Sequence, residues 1–166
     1  VLYEPGNIFE LNLDPVDGVI IAEIIEHVAH PDLFLRKVAS LVKPGGYVFL
    51  TTPTGDYFLN RLPRFSSFSN PEKFEKDQFK PNADGHIFLL FLDEFYSLAS
   101  KASLSVFDIQ FNNNPLSSGH LKLSYLLKYL PNNMVNGIEK FTRKLPKFIS
   151  RKIHSNVMVV LKRNSR

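Results

Sequence analysis

The chain has 166 residues, 44% of them apolar and 22% charged, which suits one soluble globular domain and is too short for two comfortable ones. It contains no cysteine, which excludes disulfides and thiolate metal sites and is compatible with a reducing, cytoplasmic setting. The formal charge of +4 is modest, no apolar run is long enough to span a bilayer, and the start is not a signal peptide.

Residues 1–3 and 8–11 are short apolar pieces around Pro5-Gly6-Asn7, which predicts a strand end followed by a turn. The chain opens on Val1 with sequence typical of mid-domain, so it reads as a piece that lacks an N-terminal segment. Residues 17–22 form a continuous apolar run, the pattern of a strand buried on both faces of a parallel sheet. Pro31 suits a first helical turn, and Leu35, Val38, Ala39 and Val42 recur at helical spacing until Lys43-Pro44-Gly45-Gly46 stops the helix. Residues 47–52 predict a second buried strand, closed by Pro53. Strand, helix, strand at this spacing is a parallel crossover unit.

Residues 54–85 lack periodicity and are rich in Phe, Pro, Ser and Asn, as in a lid or binding loop. Asp93 predicts the cap of a helix running to Ala102, with Phe95, Leu98 and Ala99 inward. Residues 104–111 and 156–162 read as the last two strands. Between them, residues 112–155 form a helical insertion with two amphipathic segments, one carrying Leu123, Leu126, Leu127 and Leu130 and the other Ile138, Phe141 and Leu145. From His120 to Ser155 there are eight Lys or Arg against the single acid Glu139. Because these cations alternate with Leu, Ile and Phe, residues 121–153 suit a membrane surface or a lid over an apolar acceptor better than nucleic acid, and no nucleic-acid partner is expected.

Three stretches decide the family question: "DGVIIAEIIEHVAHP" (17–31), "LVKPGGYVFLTTP" (41–53) and "DGHIF" (84–88) ahead of Asp93-Glu94. In this order and separation they resemble the later motifs of class I S-adenosylmethionine-dependent methyltransferases. The nearest resemblance is to ubiquinone-type O-methyltransferases and polysaccharide-cluster methyltransferases, over residues 1–111 plus the final strand. The resemblance implies an α/β fold: a Rossmann-like methyltransferase sheet, incomplete, with the third to seventh strands in one partial domain over residues 1–166. The last strand would run antiparallel between the fifth and sixth. S-adenosylmethionine would be the cofactor, gripped only in the complete domain, since no G-x-G-x-G and no ribose-binding acid occur here. The missing N-terminal segment would join in cis or in trans. Asn7 stands where the family's adenine-contacting Asp is usual, and its amide oxygen can still accept a hydrogen bond. Ala22 and Glu23, at the carboxyl end of the fourth strand, are the other cofactor-side candidates.

Glu23, Glu26 and His27 form an E-x-x-E-H cluster at that strand end, and His86 follows the long loop. Together they can complete a divalent-metal site that orients and acidifies a hydroxyl, and the resemblance extends to methyltransferases with similar E-x-x-E-H sets. Two other assignments stand beside it. His27 or His86 can act as a metal-free general base, or Glu26 and His27 can cap the next helix while His86 fixes the loop. His30 reads as a surface residue, while His120 and His154 have no partner visible in sequence. Phe58, Phe65, Phe68, Phe74 and Phe79 either line an acceptor pocket or pin the loop to the core. The expected activity is O-methylation of a small-molecule or lipid-linked acceptor; the alternative is a non-catalytic truncated remnant or interaction module.

Overall fold

The computed structural model describes residues 5–78, 85–114 and 129–165. The expected strand end at 1–3, Phe79, His120 and the leucines 123, 126 and 127 lie outside the described residues. Four strands, β1 (Val16–Ala22), β2 (Val42–Pro53), β3 (Leu104–Asn112) and β4 (Asn156–Arg163), form one sheet in the order β1-β2-β4-β3. β1 and β2 are parallel, joined through helix α1 (Pro31–Leu41), and β4 runs antiparallel to both of its neighbours. The expected order, with the last strand inserted between the two before it, is therefore present.

Helices α1 and α2 (Leu92–Lys101) pack on one face of the sheet. There Phe34, Leu35, Val38, Phe95 and Leu98 bury Ile21, Val48, Leu50, Val159 and Leu161. Side chains alternate across a strand, so the same rows send Ile20, Phe49 and Phe107 to the opposite face, where Ile20 is 79% and Phe107 64% exposed. This corrects the reading of residues 17–22 as a strand buried on both sides. Ile21 is its one buried residue, because no described element covers the second face. β1 is also a terminal strand of the sheet, with β2 as its neighbour.

The turn at Pro44-Gly45-Gly46 shows why two glycines follow the proline. Gly45 has φ of +79°, a region that costs nothing only for glycine. At Gly46 an added Cβ would sit 2.7 Å from the Asp17 carbonyl oxygen and 2.7 Å from Val42.

Asp93 is not the cap of α2. It lies inside the first turn and pairs with Arg64, while Glu94 accepts from the backbone N–H of Phe91 (2.8 Å) and of Ser66 (2.7 Å). The N–H of Leu92 donates to Asp56 Oδ2 at 2.9 Å, so orphan donors of this helix end are met by carboxylates from two directions.

The insertion contributes helices α3 (Asn132–Arg143) and α4 (Lys147–Ile153). α3 docks through polar atoms: Asn114 Nδ2 donates to Thr142 Oγ1 (3.1 Å) and the Asn114 N–H to Glu139 (3.3 Å). Val135 and Ile138 are half-buried on the docked side, while Met134 is 52% and Phe141 67% exposed, and Phe148 on α4 is 66% exposed. No helix among the described residues is long and apolar enough to cross a membrane.

Candidate functional site

In a parallel crossover the side chains able to meet a ligand collect at the carboxyl ends of the strands. At the end of β1 the chain leaves Ala22, turns at Glu23 with φ of +53°, and enters a single 3-10 turn, Ile25–His27. That turn carries Glu26 inward until it is fully buried. Thr52, buried near the end of β2, donates from Oγ1 to Glu26 Oε2 at 2.9 Å. Glu26 Oε1 accepts no hydrogen bond among the described residues. It stands 3.9 Å from His27 Nε2 and 3.9 Å from His86 Nε2, and the two imidazole rings lie 4.8 Å apart, tilted by 58°. His86 is brought in by the backbone: the Ile87 N–H donates to the Glu26 carbonyl at 2.9 Å, which ties the distal loop to the 3-10 turn.

Burial pushes the Glu26 carboxyl up from its ordinary range, against the lowering effect of its backbone and Thr52 hydrogen bonds. A buried carboxylate oxygen lacking a donor but facing two imidazoles suits a cation or an imidazolium. Glu26, His27 and His86 each offer a ligand atom, all within 4.8 Å of one another, a carboxylate–imidazole donor set suited to a divalent transition metal.

Glu23 stands outside this cluster, and its Oε1 accepts from Asn156 Nδ2 at 3.0 Å. Ala22 is exposed at the strand end, on the terminal strand of the sheet among the described residues. Asn7 lies in an exposed turn in which its Oδ1 accepts from the Phe9 N–H (3.1 Å) and its Nδ2 donates to Glu10 (3.2 Å). One lone pair on its oxygen remains for another donor. His30 pairs with Glu75 at 2.9 Å. His154 is fully buried, its Nδ1 facing the Ser150 carbonyl at 2.8 Å and the Ser150 hydroxyl at 3.0 Å. Phe65, Phe68 and Phe74 pin the loop: Phe65 and Phe68 pack on the buried Phe88 at 5.2 and 6.2 Å, and Phe74 on Phe68 at 4.4 Å. Phe58 is exposed.

Thr52 is the residue that sequence reading missed. A signal was there, because Val48, Leu50 and Thr52 share one parity, which makes a hydroxyl the third member of an inward-facing row.

A family model described as a methyltransferase domain matches residues 6–108. Among curated proteins, the ubiquinone biosynthesis O-methyltransferase of Stutzerimonas stutzeri is 36% identical over 111 residues, covering 65% of this chain and 44% of that protein. The enzyme of the same name from Caulobacter vibrioides is 55% identical over 38 residues, 23% of this chain and 15% of its own length. The chain thus spans less than half the length of these relatives. Among solved structures, a putative methyltransferase from Bacillus halodurans superposes with a TM-score of 0.53 at 12% identity, over 99% of this chain and 78% of its own. A SAM-dependent methyltransferase from Archaeoglobus fulgidus does so with a TM-score of 0.52 at 14% identity, over 94% and 63% of the respective chains. At such identities the superpositions show the fold.

Proposed function

Since the chain belongs to the methyltransferase domain family, we propose that it is the acceptor-side portion of an S-adenosylmethionine-dependent O-methyltransferase. The observation that carries this reading is the meeting of Glu26, His27 and His86 at the carboxyl end of β1. S-adenosylmethionine supplies a methyl group on a sulfonium, and transfer needs an in-line nucleophile whose proton has somewhere to go. His27 or His86 takes the proton of an acceptor hydroxyl at Nε2. Glu26, 3.9 Å from both nitrogens, then stabilises the imidazolium that forms, and Thr52 holds the carboxylate for that purpose. The same three residues suit a divalent metal, which would lower the pKa of a bound hydroxyl. Ala22 and Glu23 border the methionine end of the cofactor, and Asn7 accepts from its adenine.

The Gly-rich loop and the ribose-binding acid are supplied, in this reading, by a further segment in cis or in trans. Among the described residues the outer edge of β1 is open and the face at Ile20 and Phe49 is uncovered, and both support this, because an unpaired strand edge with apolar side chains invites a partner. In the full-length protein, His86→Asn is expected to slow transfer to a phenolic acceptor by about 10²–10⁴-fold and to leave binding of S-adenosylhomocysteine in place. An undiminished rate would remove His86 from the reaction.

The ubiquinone biosynthesis enzymes among the relatives favour a lipid-linked acceptor, and a second observation supports this. Met134, Phe141 and Phe148 are exposed on helices that also carry Lys140, Arg143 and Lys147, with Lys144 at the C-cap between them, the pattern of a helix lying on an anionic membrane surface. Co-sedimentation with phosphatidylglycerol vesicles, lost in Phe141→Ser/Phe148→Ser, is the expected result. Equal absence of binding to anionic and neutral vesicles would leave a small soluble acceptor.

A further inference from the structure

A cleft of about 520 Å³ is lined by Asp56, Arg64, Phe91, Tyr96, Arg151 and Lys152. Asp56 lies four residues after Thr52 and Phe91 five after His86, which ties the cleft to the Glu26 cluster along the chain. Its lining includes the aromatic rings of Phe91 and Tyr96, and Arg64 stacks over the Phe91 ring at 4.5 Å. Arg64 is spoken for, since its guanidinium pairs with Asp93 and its Nε lies 3.9 Å from Glu94.

The cations that α4 brings to the lining are placed differently. Arg151 and Lys152 of α4 both approach the buried Asp56, with Arg151 Nε 4.0 Å and Lys152 Nζ 3.7 Å from Oδ1. Neither distance is a hydrogen bond, and the other oxygen of Asp56 is engaged by the Leu92 N–H. Arg151 Nε is buried and finds no acceptor among the described residues. Two cations thus share one carboxylate oxygen, neither within hydrogen-bond distance of it, and a sheltered donor is unmet. Burying a donor without a partner costs free energy, so the wall is short of an oxyanion. The placement of α4 is firm, because the Phe58 N–H donates to the Lys152 carbonyl (3.0 Å) and the Thr54 N–H to the Ser155 carbonyl (3.0 Å).

We propose that this cleft binds an acidic group of the acceptor, a carboxylate or phosphate carried on an apolar or aromatic body. Arg151 and Lys152 hold the oxyanion, and Phe91 and Tyr96 take the body. The inference rests on the methyltransferase reading for the word acceptor, and on the cleft alone for the anion.

The test is binding to the full-length protein, followed by calorimetry, with benzoate as the anionic probe, benzamide as its uncharged counterpart and phosphatidylglycerol vesicles as a separate arm. Benzoate is expected to bind about tenfold more tightly than benzamide, or about 1.4 kcal/mol, and to weaken as salt is raised. Arg151→Gln/Lys152→Gln is expected to abolish that preference and leave benzamide unchanged. Lys140→Gln/Lys144→Gln, cations outside the cleft, should change nothing in the benzoate arm. Should the double variant fail to fold, Lys152→Gln alone, at an exposed position, is expected to lose part of the preference. Equal binding of benzoate and benzamide overturns the proposal. So does a double variant that loses only vesicle binding, which would assign these cations to a lipid surface. S-adenosylhomocysteine binding separates the two levels: if it persists while benzoate fails, the cleft proposal falls and the methyltransferase reading stands. If benzoate binds and S-adenosylhomocysteine does not, the methyltransferase reading falls instead.

Discussion

Replacing Glu26 with Gln should make the metal-free protein more stable at neutral pH while damaging its chemistry. The side chain is fully buried, one oxygen receives a single hydrogen bond from Thr52, and the other receives none among the described residues. An ionised carboxylate so poorly solvated costs about 1–3 kcal/mol relative to a neutral group of the same shape. The amide oxygen of Gln keeps the Thr52 bond, so Glu26→Gln is expected to raise the unfolding free energy of the full-length protein by about that amount at pH 7.5. The pH dependence follows from the direction of the shift. Burial raises the folded-state value above the ordinary 4.5, so the proton binds more tightly in the folded state. The stability this gives is fully present below 4.5 and is lost as pH rises through the raised folded value. The advantage of the Gln variant should therefore vanish in acid and grow toward neutrality. Urea unfolding in the presence of a chelator from pH 4 to 8 measures it. A Gln variant less stable than the parent at pH 7.5 would refute the reasoning and make Glu26 a structural anchor of the 3-10 turn.

Gly46→Ala is expected to destabilise the protein by about 1–3 kcal/mol, because the new methyl meets the Asp17 carbonyl at 2.7 Å; an unchanged melting temperature would show that the turn can shift at no cost. Glu94→Ala removes the acceptor shared by the Phe91 and Ser66 N–H groups and should cost about 1–2 kcal/mol. Hydrogen exchange should then quicken in residues 64–68 as well as at the start of α2, and protection unchanged at Ser66 would deny the link.

Local patterns carried much of this structure. The apolar runs at 17–22 and 47–52, the helical spacing between them and the glycine pair sufficed to place β1, α1 and β2, because backbone periodicity is set within a few residues. Glu26 and His27 were visible for the same reason. What was not legible depends on residues far apart in the chain. The expected Asp93 cap gave way to Glu94, because Arg64, 29 residues earlier, draws Asp93 outward. The second face of β1 was read as buried from its composition alone, although coverage is decided by elements elsewhere. Thr52 looked like one more residue of a buried strand and Asp56 like part of a long loop, until the fold set them against a 3-10 turn and a helix. The wall of Arg151 and Lys152 resembled the rest of a basic stretch, since nothing local distinguishes a cation facing a cleft from one facing water.

The position of β4 bears on how the chain can fold as it is made. β2 and β3 are separated by it and do not touch as neighbours, so their inner edges must wait until residues 156–163 arrive to pair with both. The β2 edge, on the strand bearing Val48 and Leu50, stays unsatisfied while more than a hundred further residues are made, and the β3 edge joins it from residue 112 until β4 arrives. Pairing over such a separation is slow relative to local helix formation, and open edges of this kind are where nascent chains aggregate. A nonsense codon anywhere before Asn156 would therefore leave no continuous sheet, and chaperone capture of such products should be far stronger than loss of a terminal strand would ordinarily cause.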